Sequence, residues 1–129
     1  MKAITEKHGE IDILVNGAAG NFLCPFENLS PNAFRNVLMI DTVGTFLLSK
    51  FTVQYAMKKG GVIINITANL HHNGTILQSH AGTAKAGVDA LTKHMAVELG
   101  PRNIRVVGVS PGPIENTEGF SRLSTAEGK

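Results

Sequence analysis

The sequence predicts an α/β fold with a parallel sheet in a doubly wound arrangement. Three short runs rich in β-branched residues are continuously apolar instead of alternating, and long helical stretches separate them. The order strand, helix, strand, helix, strand requires parallel strands joined by right-handed crossovers. Strands without alternation are expected to be covered on both faces.

The elements follow in order. "AITEKHG" (3–9) reads as the last turns of a helix, so the chain is expected to begin inside a repeating unit. "IDILVN" (11–16) is the first strand. A helical stretch of nearly thirty residues is opened by Ser30 as N-cap, with Pro31 at the first helical position, and closed by Gly60-Gly61. "GVIINIT" (61–67) is the second strand, and a helix over about 80–99 stops at Gly100-Pro101. "NIRVVGVS" (103–110) is the third strand. The closing "RLSTAEGK" is small and polar with no core pattern and is expected to fray. Residues 1–129 form a single domain, and three strands leave edges that call for further strands or a partner.

Composition excludes several function classes. With 129 residues and 43% hydrophobic residues, one modest packed core is expected. The net charge is only +2, and no basic run is interleaved with aromatics, so neither nucleic acid nor a membrane surface is indicated as a partner. No apolar run reaches the length of a membrane span, and "MKAITEKHGE" lacks the hydrophobic middle of a secretory signal. The single cysteine, Cys24, is expected to be buried and excludes an internal disulfide; no Cys/His spacing fits zinc, so no metal is assigned.

Ligands in open α/β sheets bind beyond the carboxyl ends of the strands. After the first strand comes "NGAAGNF" (16–22), where Gly17, Ala18, Ala19 and Gly20 form either a tight turn or an approach for an extended ligand. After the third comes "SPGPIENT" (110–117), either an ordinary Pro/Gly loop or a rigid presenter of backbone groups. Lys85 stands among Ala81, Gly82, Ala84, Ala86 and Gly87, side chains small enough for a partner or cofactor to lie close. Phe34, Leu38, Asp41, Leu48 and Tyr55 recur at helical spacing, which places Asp41 on an apolar stripe. There it either makes structural hydrogen bonds or faces a polar cleft. The opposite side, Val37, Ile40, Val43, Leu47 and Phe51, is apolar too and points to burial against a neighbouring helix, including one from another subunit. Of five histidines, His8 and His94 read as surface groups, His71 and His72 fall in a loop, and His80 is retained as a candidate for substrate or proton contact.

Together these features resemble the short-chain dehydrogenase/reductase family, with its Rossmann-like sheet. "DILVNGAAG" is similar to the family's Asn-Asn-Ala-Gly strand end, "DTVG" (41–44) falls at its Asn-x-x-Gly, "GVIINIT" precedes its serine position, and "SPGPIENT" is similar to its nicotinamide loop. The departures carry information. Tyrosine-bearing members place that residue four before the lysine and a serine seventeen before it, because protonating a carbonyl needs an acidified phenol. Here those positions are Ala81 and Ala68, which disfavours a carbonyl reductase unless Ser79 or His80 donates the proton.

The segments "NGAAGNFLCPFENLSPNAF", "IDTVGTF", "HAGTAKAGVDALTKHMAVELGP" and "PGPIENTEGFSRL" are most similar to the family's 2,4-dienoyl-CoA reductase branch, which lacks the tyrosine and carries aspartate at position 41. That resemblance implies NADPH-dependent reduction of 2,4-dienoyl-CoA to 3-enoyl-CoA in peroxisomal fatty-acid β-oxidation. It implies catalytic roles for Asp41 and Lys85, and cofactor contacts by Asn16, Ala18, Gly20, Thr67, Lys85, Pro111, Gly112, Pro113, Ile114 and Thr117. Acyl-CoA would meet Phe22, the segment Ser30, Pro31 and Asn32, and Arg122 as a cation for phosphate. The family's Gly-rich phosphate loop and its final strand and helix have no counterpart here, so the chain is expected to be partial. The alternatives are a catalytically silent chain that associates through its long helices, the expected homo-oligomer contact, and a carbonyl reductase.

Overall fold

The computed structural model describes residues 1–124; the end of the expected fraying tail, 125–129, lies outside them. Three parallel strands, β1 (Ile13–Asn16), β2 (Gly61–Ile66) and β3 (Ile104–Val109), form one sheet in the order β1-β2-β3. Ile13 pairs with Val62 and Asn16 with Asn65, while Gly61 pairs with Ile104 and Ile66 with Val109. The three carboxyl ends are therefore level, and the loops leaving them share one edge.

Helix α1 (Lys2–His8) precedes β1, as its sequence suggests. The long helical stretch is α2 (Pro31–Leu38), a π-helical segment (Met39–Val43) and α3 (Gly44–Tyr55). Ser30 caps it by accepting a hydrogen bond from the Ala33 amide, and Pro31 occupies the first turn. It stops at Tyr55, short of Gly60-Gly61. Gly60 has φ 98° and lies against the Asn103 carbonyl, where an added Cβ would come within 2.5 Å, so this glycine makes the turn that feeds β2. Helix α4 (Ser79–Leu99) returns the chain to β3, and α5 (Glu118–Leu123) follows the last loop.

The core is the layer between the sheet and helices α3 and α4. Val53, Met57, Ile63, Ile104 and Val106 are buried there, with Leu14, Met95 and Leu99 packed around them. Along the strands, alternate residues are buried, so the helices cover one face among the described residues. Ile13, Val15, Val107 and Val109 look out from the other. The described residues thus cover one face and leave the second, equally apolar face open.

The long helix also corrects its predicted stripe. A π turn carries one extra residue, and the register passing through Met39–Val43 turns Val37, Asp41, Thr45, Ser49 and Thr52 inward. Leu48 and Tyr55, expected beside Asp41, are each 43% exposed, as are most of Met39, Ile40, Phe46, Leu47 and Phe51 to a similar degree. By length and mean hydropathy of 1.2, the helix Pro31–Tyr55 is long and apolar enough to cross a bilayer, contrary to the sequence expectation. Its inward face packs on the sheet layer, where Ser49 accepts a hydrogen bond from Asn16 of β1, as in a domain helix.

Candidate functional site at the carboxyl ends of the strands

Asp41 sits inside the π segment and is buried. Lys85 reaches it from the second turn of α4. Its Nζ lies 3.1 Å from Asp41 Oδ2 and donates to Asp41 Oδ1 at 3.2 Å and to the Ile66 carbonyl, at the end of β2, at 3.0 Å. The two side chains are 12% and 3% exposed, so their attraction is little screened by water. Burial pushes the Asp41 carboxyl above its usual range, and the charge and hydrogen bond of Lys85 offset only part of that rise.

Close helix packing makes the pairing possible. Thr42 Oγ1 donates to the Ala84 carbonyl at 2.8 Å, and a Cβ on Gly87 would stand 2.9 Å from Thr42 Cγ2. The small residues around Lys85 thus serve first to let α4 approach the π segment. Below the pair, a buried polar chain braces the strands: Asn16 Nδ2 donates to Ser49 Oγ at 2.9 Å and to Asn65 Oδ1 at 2.8 Å, and Asn65 Nδ2 donates to Thr92 Oγ1 at 2.9 Å. Each amide is satisfied, which makes the network a rigid support.

A cleft of about 610 Å³, whose lining includes neither Lys85 nor Asp41, is walled by Ala68, Leu70, Ile76 and Leu77 and by Pro111 to Ile114, Thr117 and Phe120. Pro111, Gly112, Pro113, Ile114 and Thr117 all line it, and a Cβ on Gly112 would meet nothing within 4 Å. The wall at Leu70 and Thr75–Gln78 carries no motif, and sequence reading missed it. A second hollow of about 600 Å³, lined by Gly61, Ile104 and Arg105, is at the opposite ends of the strands, away from Lys85 and Asp41.

The remaining expected site residues are distributed unevenly. Thr67 is buried at the end of β2, and its hydroxyl has no hydrogen-bond partner of good geometry. Ala18 is exposed and Gly20 half-buried in the loop after β1. Asn16 is buried and commits its side-chain Nδ2 to the network. Phe22 stacks on His80 with ring centroids 4.3 Å apart. His80 is fully buried, and its Nε2 lies 2.8 Å from the Phe22 carbonyl, which makes it a strut for the loop instead of the expected proton contact. Ser30, Pro31 and Asn32 form an exposed helix start outside the cleft wall. Arg122 is exposed, pairs with Glu118 on α5, and is not among the cleft residues. Cys24, expected to be buried, is half-buried.

Residues 1–128 match the sequence model of a family described as short chain dehydrogenase. The chain belongs to the short-chain dehydrogenase family. Among relatives of this short-chain dehydrogenase chain, a peroxisomal 2,4-dienoyl-CoA reductase of Pongo abelii is 57% identical over 119 residues, covering 92% of this chain and 41% of the relative. The peroxisomal 2,4-dienoyl-CoA reductase of Saccharomyces cerevisiae is 49% identical, covering 96% of this chain and 42% of the relative. A crystal structure of a short chain dehydrogenase from Bacillus anthracis superposes with a TM-score of 0.81 at 44% identity, covering 93% of this chain and 50% of that one. The chain thus spans about two fifths of the length of the curated relatives named here, and it is partial relative to them.

Proposed function

We propose that these residues are the central and later portion of an NADPH-dependent 2,4-dienoyl-CoA reductase, giving 3-enoyl-CoA in peroxisomal fatty-acid β-oxidation. The observation that carries the reading is the buried Lys85–Asp41 pair in a site whose expected tyrosine position is Ala81. The high identity to reductases of that name supports the same substrate class.

The residues present fit a nicotinamide nucleotide. Lys85 has three N–H donors and hydrogen-bonds Asp41 and Ile66, leaving one for a ribose hydroxyl. The unpartnered Thr67 hydroxyl and the loop Pro111–Thr117 offer further polar and backbone contacts beside the cleft. NADPH, when bound, supplies the hydride.

Reduction at the far end of a conjugated dienoyl thioester moves negative charge onto the thioester oxygen, so no alkoxide forms at the hydride-accepting carbon. The chain's task is to stabilise that charge and deliver one proton. Lys85 supplies fixed positive potential in a site of low exposure. Asp41, raised by burial, can hold a proton on a carboxyl oxygen and pass it on through ordered water. Neither step needs a phenol. His80, one of the alternative donors for carbonyl reduction, is poorly placed because its ring is held on the Phe22 carbonyl.

A second reading is favoured by the exposed apolar row Phe46, Leu47, Leu48, Phe51 and Tyr55, which suits association with another copy through the long helices. Assaying the natural protein that contains these residues on a 2,4-dienoyl-CoA and on simple ketones tests both. Dienoyl turnover is expected. Turnover of ketones alone refutes the assignment, and no turnover with stable association supports a catalytically silent subunit.

A further inference from the structure

Outside the Lys85–Asp41 site, the fold gathers three groups that the sequence keeps apart. His71 and His72 lie in the turn after β2, and Asp89 lies on α4 one turn beyond Lys85. His71 Nε2 contacts Asp89 Oδ2, and His72 Nε2 lies 3.7 Å from the same oxygen. One ligand atom from each falls within 4.8 Å of the other two.

We propose that His71, His72 and Asp89 form a binding site for a divalent transition-metal ion of the zinc type. Two imidazole nitrogens and a carboxylate oxygen are a donor set suited to zinc or cobalt, and poorly suited to magnesium or calcium. Ligand bonds of about 2.0–2.2 Å need donor atoms roughly 3.3 Å apart, so binding opens the direct His71–Asp89 contact and draws in donors that now lie within 4.8 Å of one another. A simple ion pair explains His71 and Asp89 but leaves the convergence of His72 on the same oxygen unexplained. The rings of His71 and His72 meet edge to face at 4.5 Å, and both Nε2 atoms approach the same carboxylate oxygen. His71 has a side chain only 9% exposed, with its Nε2 against Asp89, so burial and this contact hold the ring in place. His72, 60% exposed, leaves the solvent side open for a water as fourth ligand.

Asn69, Leu70 and Thr75 belong to the same turn and wall the cleft, so an ion at this site fastens that wall to α4.

The test is a cobalt(II) titration of the natural protein followed by visible absorption, with zinc competition, in the unaltered chain and in His72→Gln and Asp89→Asn. Intense d–d bands that one equivalent of zinc abolishes are expected, with affinity about tenfold or more lower in His72→Gln. The thermal midpoint is expected to rise with zinc in the unaltered protein, not with magnesium, and not in His72→Gln. Because His72 is exposed, its variant decides the matter even if Asp89→Asn fails to fold. Absence of bands, or equal affinity in His72→Gln as expected for adventitious binding at His8 or His94, overturns the proposal.

Discussion

Lys85 Nζ and Asp41 Oδ2 are 3.1 Å apart across the contact between α4 and the π segment, each nearly withdrawn from solvent. Two ions taken out of water depend on one another: losing either leaves a buried charge without its partner.

Replacing the lysine exposes that dependence. In Lys85→Met, Asp41 keeps its desolvation and loses the cation that offsets it, so its pKa rises further above the unfolded value. A carboxyl raised in the folded state favours folding at acid pH, and this contribution disappears as pH rises through the folded pKa. Urea unfolding of Lys85→Met is therefore expected to show a loss of about 3 kcal/mol at neutral pH and a smaller loss near pH 4. An equal loss at both pH values would show that Asp41 is not the group responsible.

Helix approach gives a second prediction. A methyl group on Gly87 would stand 2.9 Å from Thr42 Cγ2 and force α4 away from the π segment. Gly87→Ala is expected to cost about 1–3 kcal/mol in denaturant unfolding. Gly112→Ala, with nothing within 4 Å, is expected to stay within about 0.5 kcal/mol of the unaltered protein.

The outward row of the long helix supplies a third. Leu47 and Phe51 are 41% exposed each and stand one turn apart on α3. If this face meets another copy, Leu47→Asp with Phe51→Asp is expected to shift sedimentation toward the monomer without altering helix content by circular dichroism. An unchanged sedimentation coefficient would remove this face from any assembly.

The sheet and both major helices were legible because their signals are local: β-branched runs, Ser30-Pro31, and the Gly100-Pro101 stop. Asp41 was recognised, but its neighbours were misplaced. The spacing of Phe34, Leu38, Leu48 and Tyr55 assumes an unbroken α-helix, and one π turn carries the register onto Thr45 and Ser49 instead. Such a turn packs against α4 and leaves no motif in the sequence. Of the residues expected at the site, Pro111, Gly112, Pro113, Ile114 and Thr117 line the cleft, whereas Asp41, Lys85, Thr67, Phe22, Arg122 and Ser30–Asn32 do not. His80 was misread because only tertiary structure shows that Phe22 claims its ring. The convergence of His71 and His72 on Asp89 was equally invisible, since it spans a turn and part of a helix.

The most direct measurement is turnover of a 2,4-dienoyl-CoA by the natural protein and by its Asp41→Asn form, which keeps a hydrogen-bond acceptor for Lys85 while removing the acid. A kcat at least about a hundredfold lower, with the KM for NADPH little changed, is the expected result. A kcat within about twofold of the unaltered protein would contradict the role of Asp41 in proton delivery.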